Sequence, residues 1–180
     1  MKMVKYVNII FILICISCNA TKITNSWKNK EYQNYHPHKT LILGVTPNLE
    51  AKTIYERELK KALTKRNMEA LEASEVLSPT FNANKQGEIA IENEVKNLKT
   101  LGFDAIIMAA IKGFDEKVPF DGAIFKIDDS FYGFENYYFL NQDIYYNRDY
   151  YIKYKVFHLE VSLYNLTSKN EKALVWIGTY

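Results

Sequence analysis

Cysteine is scarce, and both copies sit near the start. Cys15 and Cys18 are the two, and none follows over the rest of the 180 residues. A chain cut beside them would carry no disulfide and no thiol nucleophile, so its core alone must hold it together. Seven Gly and four Pro are too few for a low-complexity or collagen-like chain. An excess of one charge is missing as well. Lys plus Arg number 23 against 21 Asp plus Glu, a formal +2, which leaves no electrostatic footprint for nucleic acid. Catalytic signatures are also absent. No Gly-Xaa-Ser-Xaa-Gly elbow occurs, and Gly44-Val45-Thr46-Pro47 lacks the glycines of a phosphate loop. His36 and His38 are adjacent, but two imidazoles fall short of the three or four ligands a metal site needs. Asp121, Asp128, Asp129 and Asp143 do not follow a calcium-loop pattern and read as solvated turn residues. No cofactor, metal or catalytic set is expected.

What is present begins with an address. Lys2 and Lys5 precede Val7 to Ile16, ten residues with Asn8 alone polar. That length suits a signal-peptide core, since a membrane-spanning helix needs about 20 apolar residues; an uncleaved membrane anchor and an ordinary secretory signal are the competing expectations. Ser17-Cys18 ends the run, and the chain then turns polar. A small residue before Cys at this place resembles the lipobox of bacterial lipoproteins. The resemblance implies cleavage between Ser17 and Cys18 and lipidation of Cys18. One position departs from the family pattern: Cys15 stands three before the acceptor, where the family prefers Leu. Cleavage would also remove Lys2 and Lys5, so the formal charge of +2 falls to zero. Several acyl tails, at about 0.8 kcal/mol per buried CH2, make a lasting membrane anchor.

The expected organisation is a leader over 1–17, a lipidated Cys18 with a tether over 18–39, and one α/β domain over 40–180. Within the tether, Ile23 and Trp27 are expected to dock back on the domain, the competing expectation being that Trp27 sits at the lipid headgroup level. Thr40 to Val45 is a short run rich in branched residues and reads as a buried strand, stopped by Pro47. Thr46 or Asn48 can cap the helix that follows to Arg66, with Tyr55, Leu59, Ala62 and Leu63 as its apolar stripe and its charges elsewhere. Glu56 and Lys60, four apart, can pair. Met68 to Ala73 reads as a strand and Ser74 to Gln86 as irregular chain. A second helix follows Gly87, with Ile91, Val95 and Leu98 at helical spacing and Gly102 at its C-cap. Phe103 to Ile111 reads as a central strand covered on both faces. Tyr154 to Tyr164 alternates, and with Ala173 to Tyr180 it predicts an antiparallel hairpin. The fold class is α/β: a mixed sheet in two or three layers, helices after the first two strands, and a C-terminal antiparallel hairpin.

Residues 131–154 hold eight Tyr and three Phe. Tyr offers a flat apolar ring with a hydroxyl, which suits a sugar, a peptide or a protein partner. The expected contact surface is Tyr132, Tyr137, Tyr138, Tyr145, Tyr146, Tyr150 and Tyr151. The competing expectation is that these rings fold onto the sheet.

A further resemblance lies in the closing segment. Leu163-Tyr164, a polar turn, and Leu174-Val175-Trp176 resemble the last hairpin of small envelope lipoproteins of Gram-negative bacteria. Ile23 to Lys28, Leu41 to Asn48 and Gly102-Phe103-Asp104 look like the same group. The shape of that group is similar to the curli-secretion lipoprotein and the N-terminal domain of the Tol-Pal periplasmic protein. The resemblance implies a lipid-anchored protein facing the periplasm, on the outer membrane, in a non-enzymatic accessory or binding role. A partner would be an envelope protein or a glycan such as peptidoglycan, bound through the Tyr-rich segment. A carboxylate-dependent hydrolase is the enzymatic alternative. The group usually adds a helix after the last strand. The sequence stops at Tyr180 without one, so a truncated form, with an apolar sheet face left open, is the expectation.

Overall fold

Three parallel strands form one half of the sheet, and each follows a different local rule. β2 (Lys39–Val45) is a branched apolar run, buried from Thr40 onward. β3 (Glu69–Glu72) is a short edge strand, and β4 (Ala105–Gly113) is the long central one. β2 pairs in parallel with both, placing Leu41 beside Leu71 on one side and Ile106 on the other. Three antiparallel strands complete the sheet: β1 (Asn25–Lys28), β5 (Phe157–Asn165) and β6 (Leu174–Thr179). The order is β1-β6-β5-β4-β2-β3. The computed structural model describes residues 23–113, 133–145, 157–169 and 172–180. Among these, no helix is long and apolar enough to cross a membrane.

The described helices are α1 (Leu49–Thr64), α2 (Ala73–Val76), α3 (Pro79–Ala83), α4 (Glu88–Thr100) and α5 (Phe134–Tyr145). α1 leads from β2 to β3, and α4 leads back across β2 to β4. Right-handed crossovers that run in opposite directions along a sheet must lie on opposite faces, and these two do. A Cβ added at Gly44 would meet Lys52 Cγ at 3.2 Å and Tyr55 Cδ1 at 3.4 Å, so α1 lies on the Thr40–Ile42–Gly44 face. Leu41, Leu43 and Ile106 point the other way, into a core shared with Ile91, Val95 and Leu98 of α4. The α/β class, the helices after the first two parallel strands and the closing β5–β6 hairpin all stand as expected from the sequence.

The helix ends show why the turns fall where they do. Asn48 Oδ1 accepts the Ala51 N–H at 3.0 Å and caps α1, while Thr46 Oγ1 accepts the Asn48 N–H at 3.2 Å. At the end of α4, the Gly102 N–H reaches Lys99 O and the Phe103 N–H reaches Leu98 O, each at 3.0 Å. This is a Schellman closure, and it needs the left-handed φ of 84° that Gly102 supplies. Asp104 then ties the start of β4 to β2: its carboxylate accepts the N–H groups of His38 and Lys39 at 2.8 and 2.9 Å. The Gly-Phe-Asp segment is thus a helix stop followed by a strand clamp.

Three expectations need correction. The folded part begins at β1 rather than near Lys39. Asn25 to Lys28 pairs antiparallel with Trp176 to Thr179, and Trp27 packs against the core, so the docking expectation holds for Trp27, whereas Ile23 stays exposed. Four residues are too few to show a period, and their order comes from backbone hydrogen bonds to β6. The Ser74 to Gln86 stretch is not irregular throughout: α2 and α3 occupy it, with Ser78 Oγ capping Phe81 N–H at 3.1 Å and Pro79 at the first helical position. The Tyr-rich stretch, finally, contains α5.

α5 packs on the same face as α4. Its Phe134 ring meets Tyr164 of β5 edge-on at 5.6 Å, and the Tyr137 hydroxyl donates to Glu160 of β5. Glu160, Ser162 and Tyr164 are buried on this side of β5, whereas Leu159, Val161 and Leu163 on the other side are half-buried. The polar side of the strand is therefore the one turned to the helices.

Candidate functional site

Of the expected contact residues, the structure describes the surroundings of Tyr137 and Tyr138, and it places both inside the protein. Tyr137 and Tyr138 each retain 1 % exposure within the core. Tyr138 stacks on Phe81 of α3 and Phe134 of α5, with ring centroids 6.2 and 5.6 Å away. The physical reason is the sheet they cover: large aromatic rings on α5 fill the space over β4 and β5. For these two, the expectation that the rings fold onto the sheet is the one that fits. Tyr145 ends α5. Tyr132, Tyr146, Tyr150, Tyr151 and Cys18, the expected lipidation site, lie outside the described residues.

A different site emerges at the carboxyl ends of β2 and β3. There, beside the point where successive crossovers reverse direction, open α/β sheets form their ligand crevices. A cleft of about 680 Å3 opens between α1 on one face and α2–α3 on the other. That volume lies within the ordinary range of small-molecule sites. Its apolar wall consists of Pro47, Leu49, Leu77 and Pro79. Leu49 is 75 % exposed at the lip.

The polar part of the cleft is a buried ion pair on α1. Lys52 is 6 % exposed and Glu56 0 %. Lys52 Nζ stands 3.9 Å from Glu56 Oε1 and donates to Asn82 Oδ1 at 2.7 Å. Asn82 is itself fixed, since its amide donates to Ala73 O and Leu77 O at 3.2 Å each. Glu56 Oε1 accepts the Gly44 N–H at 2.9 Å, and Oε2 accepts the Ser74 N–H at 3.4 Å. The side chain of one helix thus closes the end of β2 and the start of α2. Gly44 lets α1 come close: a Cβ there would press on the Lys52 side chain, which would have to shift by a few tenths of an ångström.

Burial dominates the electrostatics. It pushes the Lys52 ammonium below its ordinary value, with Glu56 opposing the shift. It pushes the Glu56 carboxyl above its ordinary value, against the Gly44 N–H, Lys52 and the Ser74 N–H and hydroxyl. Such opposed desolvation inside a cleft is a mark of functional sites.

Lys52 and Glu56 lie on the buried stripe of α1 and not, as expected of charges, away from it. Lys52, Tyr55, Glu56 and Leu59 follow the i, i+3, i+4, i+7 pattern, so they share one face. The spacing signal was present, and only the rule that charges face water concealed it. The expected Glu56–Lys60 pair is not made. Lys60 instead reaches Glu75 at 2.7 Å and Glu72 at 3.8 Å. Among the described residues no cluster of three His, Cys, Asp or Glu could hold a metal ion.

Compared with known families and with curated proteins, the chain matches no family model and no curated sequence.

Proposed function

We propose that this chain is a lipid-anchored envelope protein, facing the periplasm from the outer membrane, with a non-enzymatic binding role exercised through the cleft at the ends of β2 and β3. The observation that carries the binding role is the cleft itself: a preformed apolar wall facing a buried, hydrogen-bonded ion pair. Sites of this make-up orient a ligand by a few fixed polar groups. Paired-carboxylate hydrolysis is less well supported. Glu56 is the single acid among the described residues that line the cleft, and both its oxygens accept backbone N–H groups.

The anchor is supported by the leader, Val7 to Ile16 followed by Ser17-Cys18. With β1 beginning at Asn25, the chain between Cys18 and the sheet can span at most about 25 Å. The sheet is therefore held near the bilayer by its β1–β6 edge, and the tether is much shorter than residues 18–39.

Fractionation of cells by density gradient tests this reading. The wild-type chain is expected in the outer-membrane fraction. Cys18→Ala should be lost from that fraction and accumulate as the longer, uncut form. A wild-type chain recovered in the soluble periplasmic fraction would contradict the proposal, as would a Cys18→Ala chain that stays in the outer membrane.

A further inference from the structure

We infer that the cleft takes a small amphiphile, an apolar body ending in an anionic oxygen group, with that group bound by the Lys52 ammonium. This rests on the binding role proposed above and names its ligand class. An ammonium has three N–H donors. Among the described residues Lys52 makes one hydrogen bond, to Asn82, while Glu56 at 3.9 Å is an ion contact beyond hydrogen-bond reach. Donor capacity therefore remains on a buried cation that lines an open cleft. Glu56 does not compete for it, because its oxygens are directed at Gly44 and Ser74. Lys85 also lines the cleft, so two cations stand there against the single carboxylate of Glu56, and the balance favours an anionic head over a cationic one.

The remainder of the ligand follows from the wall. Pro47, Leu49, Leu77 and Pro79 present aliphatic carbon and no charge. An apolar body laid against them would remove the exposed Leu49 from water, at about 25 cal/mol per Å2 of apolar surface covered. A fully polar anion would leave that wall wet. A fully apolar ligand would cover the wall but leave the spare Lys52 donor desolvated and unpaired, which is costly. An amphiphile meets both demands.

The test uses the full lipidated chain in nanodiscs and equilibrium dialysis against octanoate, octan-1-ol and octylammonium, with empty nanodiscs subtracting bilayer partition. Octanoate is expected to fill a single saturable site. Octan-1-ol should bind about tenfold more weakly, in keeping with the loss of a charge-assisted hydrogen bond. Octylammonium should show no saturable uptake. Thr53→Trp, at an exposed α1 position on the cleft, should abolish octanoate binding while the circular dichroism spectrum stays unchanged. Lys52→Gln should weaken octanoate about tenfold and leave octan-1-ol unaffected. Lys85→Gln, at an exposed position, should weaken octanoate to a smaller degree. Equal affinity for octan-1-ol and octanoate, or tighter binding of octylammonium, would overturn the anionic head and leave the cleft a binding site. Failure of all three probes to bind saturably would overturn the ligand class and the binding role together, without touching the anchor read by fractionation.

Discussion

Replacing Glu56 by Ala is expected to cost the domain about 3–5 kcal/mol of folding stability, the range for removing one partner of a buried ion pair. Glu56 is fully buried and serves three groups at once: the Lys52 ammonium and the N–H groups of Gly44 and Ser74. Its removal strands a charge and two backbone donors inside the protein. Glu56→Gln should cost less, because the amide oxygen can still accept from Gly44. The double change Lys52→Met with Glu56→Leu should recover much of the loss, leaving the two orphaned N–H groups at about 1–3 kcal/mol each as an upper bound. Urea unfolding, compared through midpoint and slope, measures all three. A Glu56→Ala loss below about 1 kcal/mol would show that the pair is solvated and not the buried floor of the cleft.

The pH dependence has a definite sign. Burial raises Glu56 above its ordinary value of 4.5, so the folded chain keeps this proton at pH values where the unfolded chain has released it. That contribution to stability is fully present below the unfolded value and is lost as pH rises through the folded one. Lys52, lowered by burial, works in the opposite sense: its contribution falls as pH drops through the folded value. Glu56→Gln should therefore flatten the decline of stability that sets in as pH rises above 4.5.

Tyr138→Ala is expected to cost about 3–5 kcal/mol, as for other large aromatic truncations in a core. The ring is 1 % exposed, stacked between Phe81 and Phe134, and its loss would open a cavity where α3 and α5 meet. A contact-surface role for Tyr138 predicts the reverse, a stable domain with a lost partner. Guanidinium unfolding followed by far-UV circular dichroism separates the two. A loss under about 1 kcal/mol would contradict the core placement.

The elements legible in the sequence are those whose pattern comes from one dominant force. β2 is a continuous apolar run because both faces are covered, and β4 is one although Ile107 and Ile111 on its second face are half-buried. α4 shows its stripe at Ile91, Val95 and Leu98 and its stop at Gly102 because cap and core agree. α5 was obscured by its composition. Phe134, Tyr137, Tyr138 and Gln142 do form a buried helical stripe, but Tyr and Phe occur at neighbouring positions too, so no polar face outlines it. Gln142 would not be placed inside by any hydropathy rule. It is buried because its amide exchanges hydrogen bonds with the Gln86 backbone, 2.7 Å to the carbonyl oxygen. β1 escaped for another reason, since its order depends on a partner strand 150 residues away in sequence. The cleft was illegible because its two charged residues sit on a helix face that composition alone assigns to solvent. Only the pairing of Lys52 with Glu56, each held by a further hydrogen bond, makes that burial tolerable.

The central claim is that an anchored domain presents this cleft close to a membrane, and the anchor is its most exposed premise. Intact mass of the chain extracted from membranes tests it most directly. The account predicts a polypeptide starting at Cys18, without residues 1–17, carrying the added mass of a thioether-linked diacylglycerol and an amide-linked acyl chain. A chain that retains its first 17 residues, or one cut there without lipid, would contradict it.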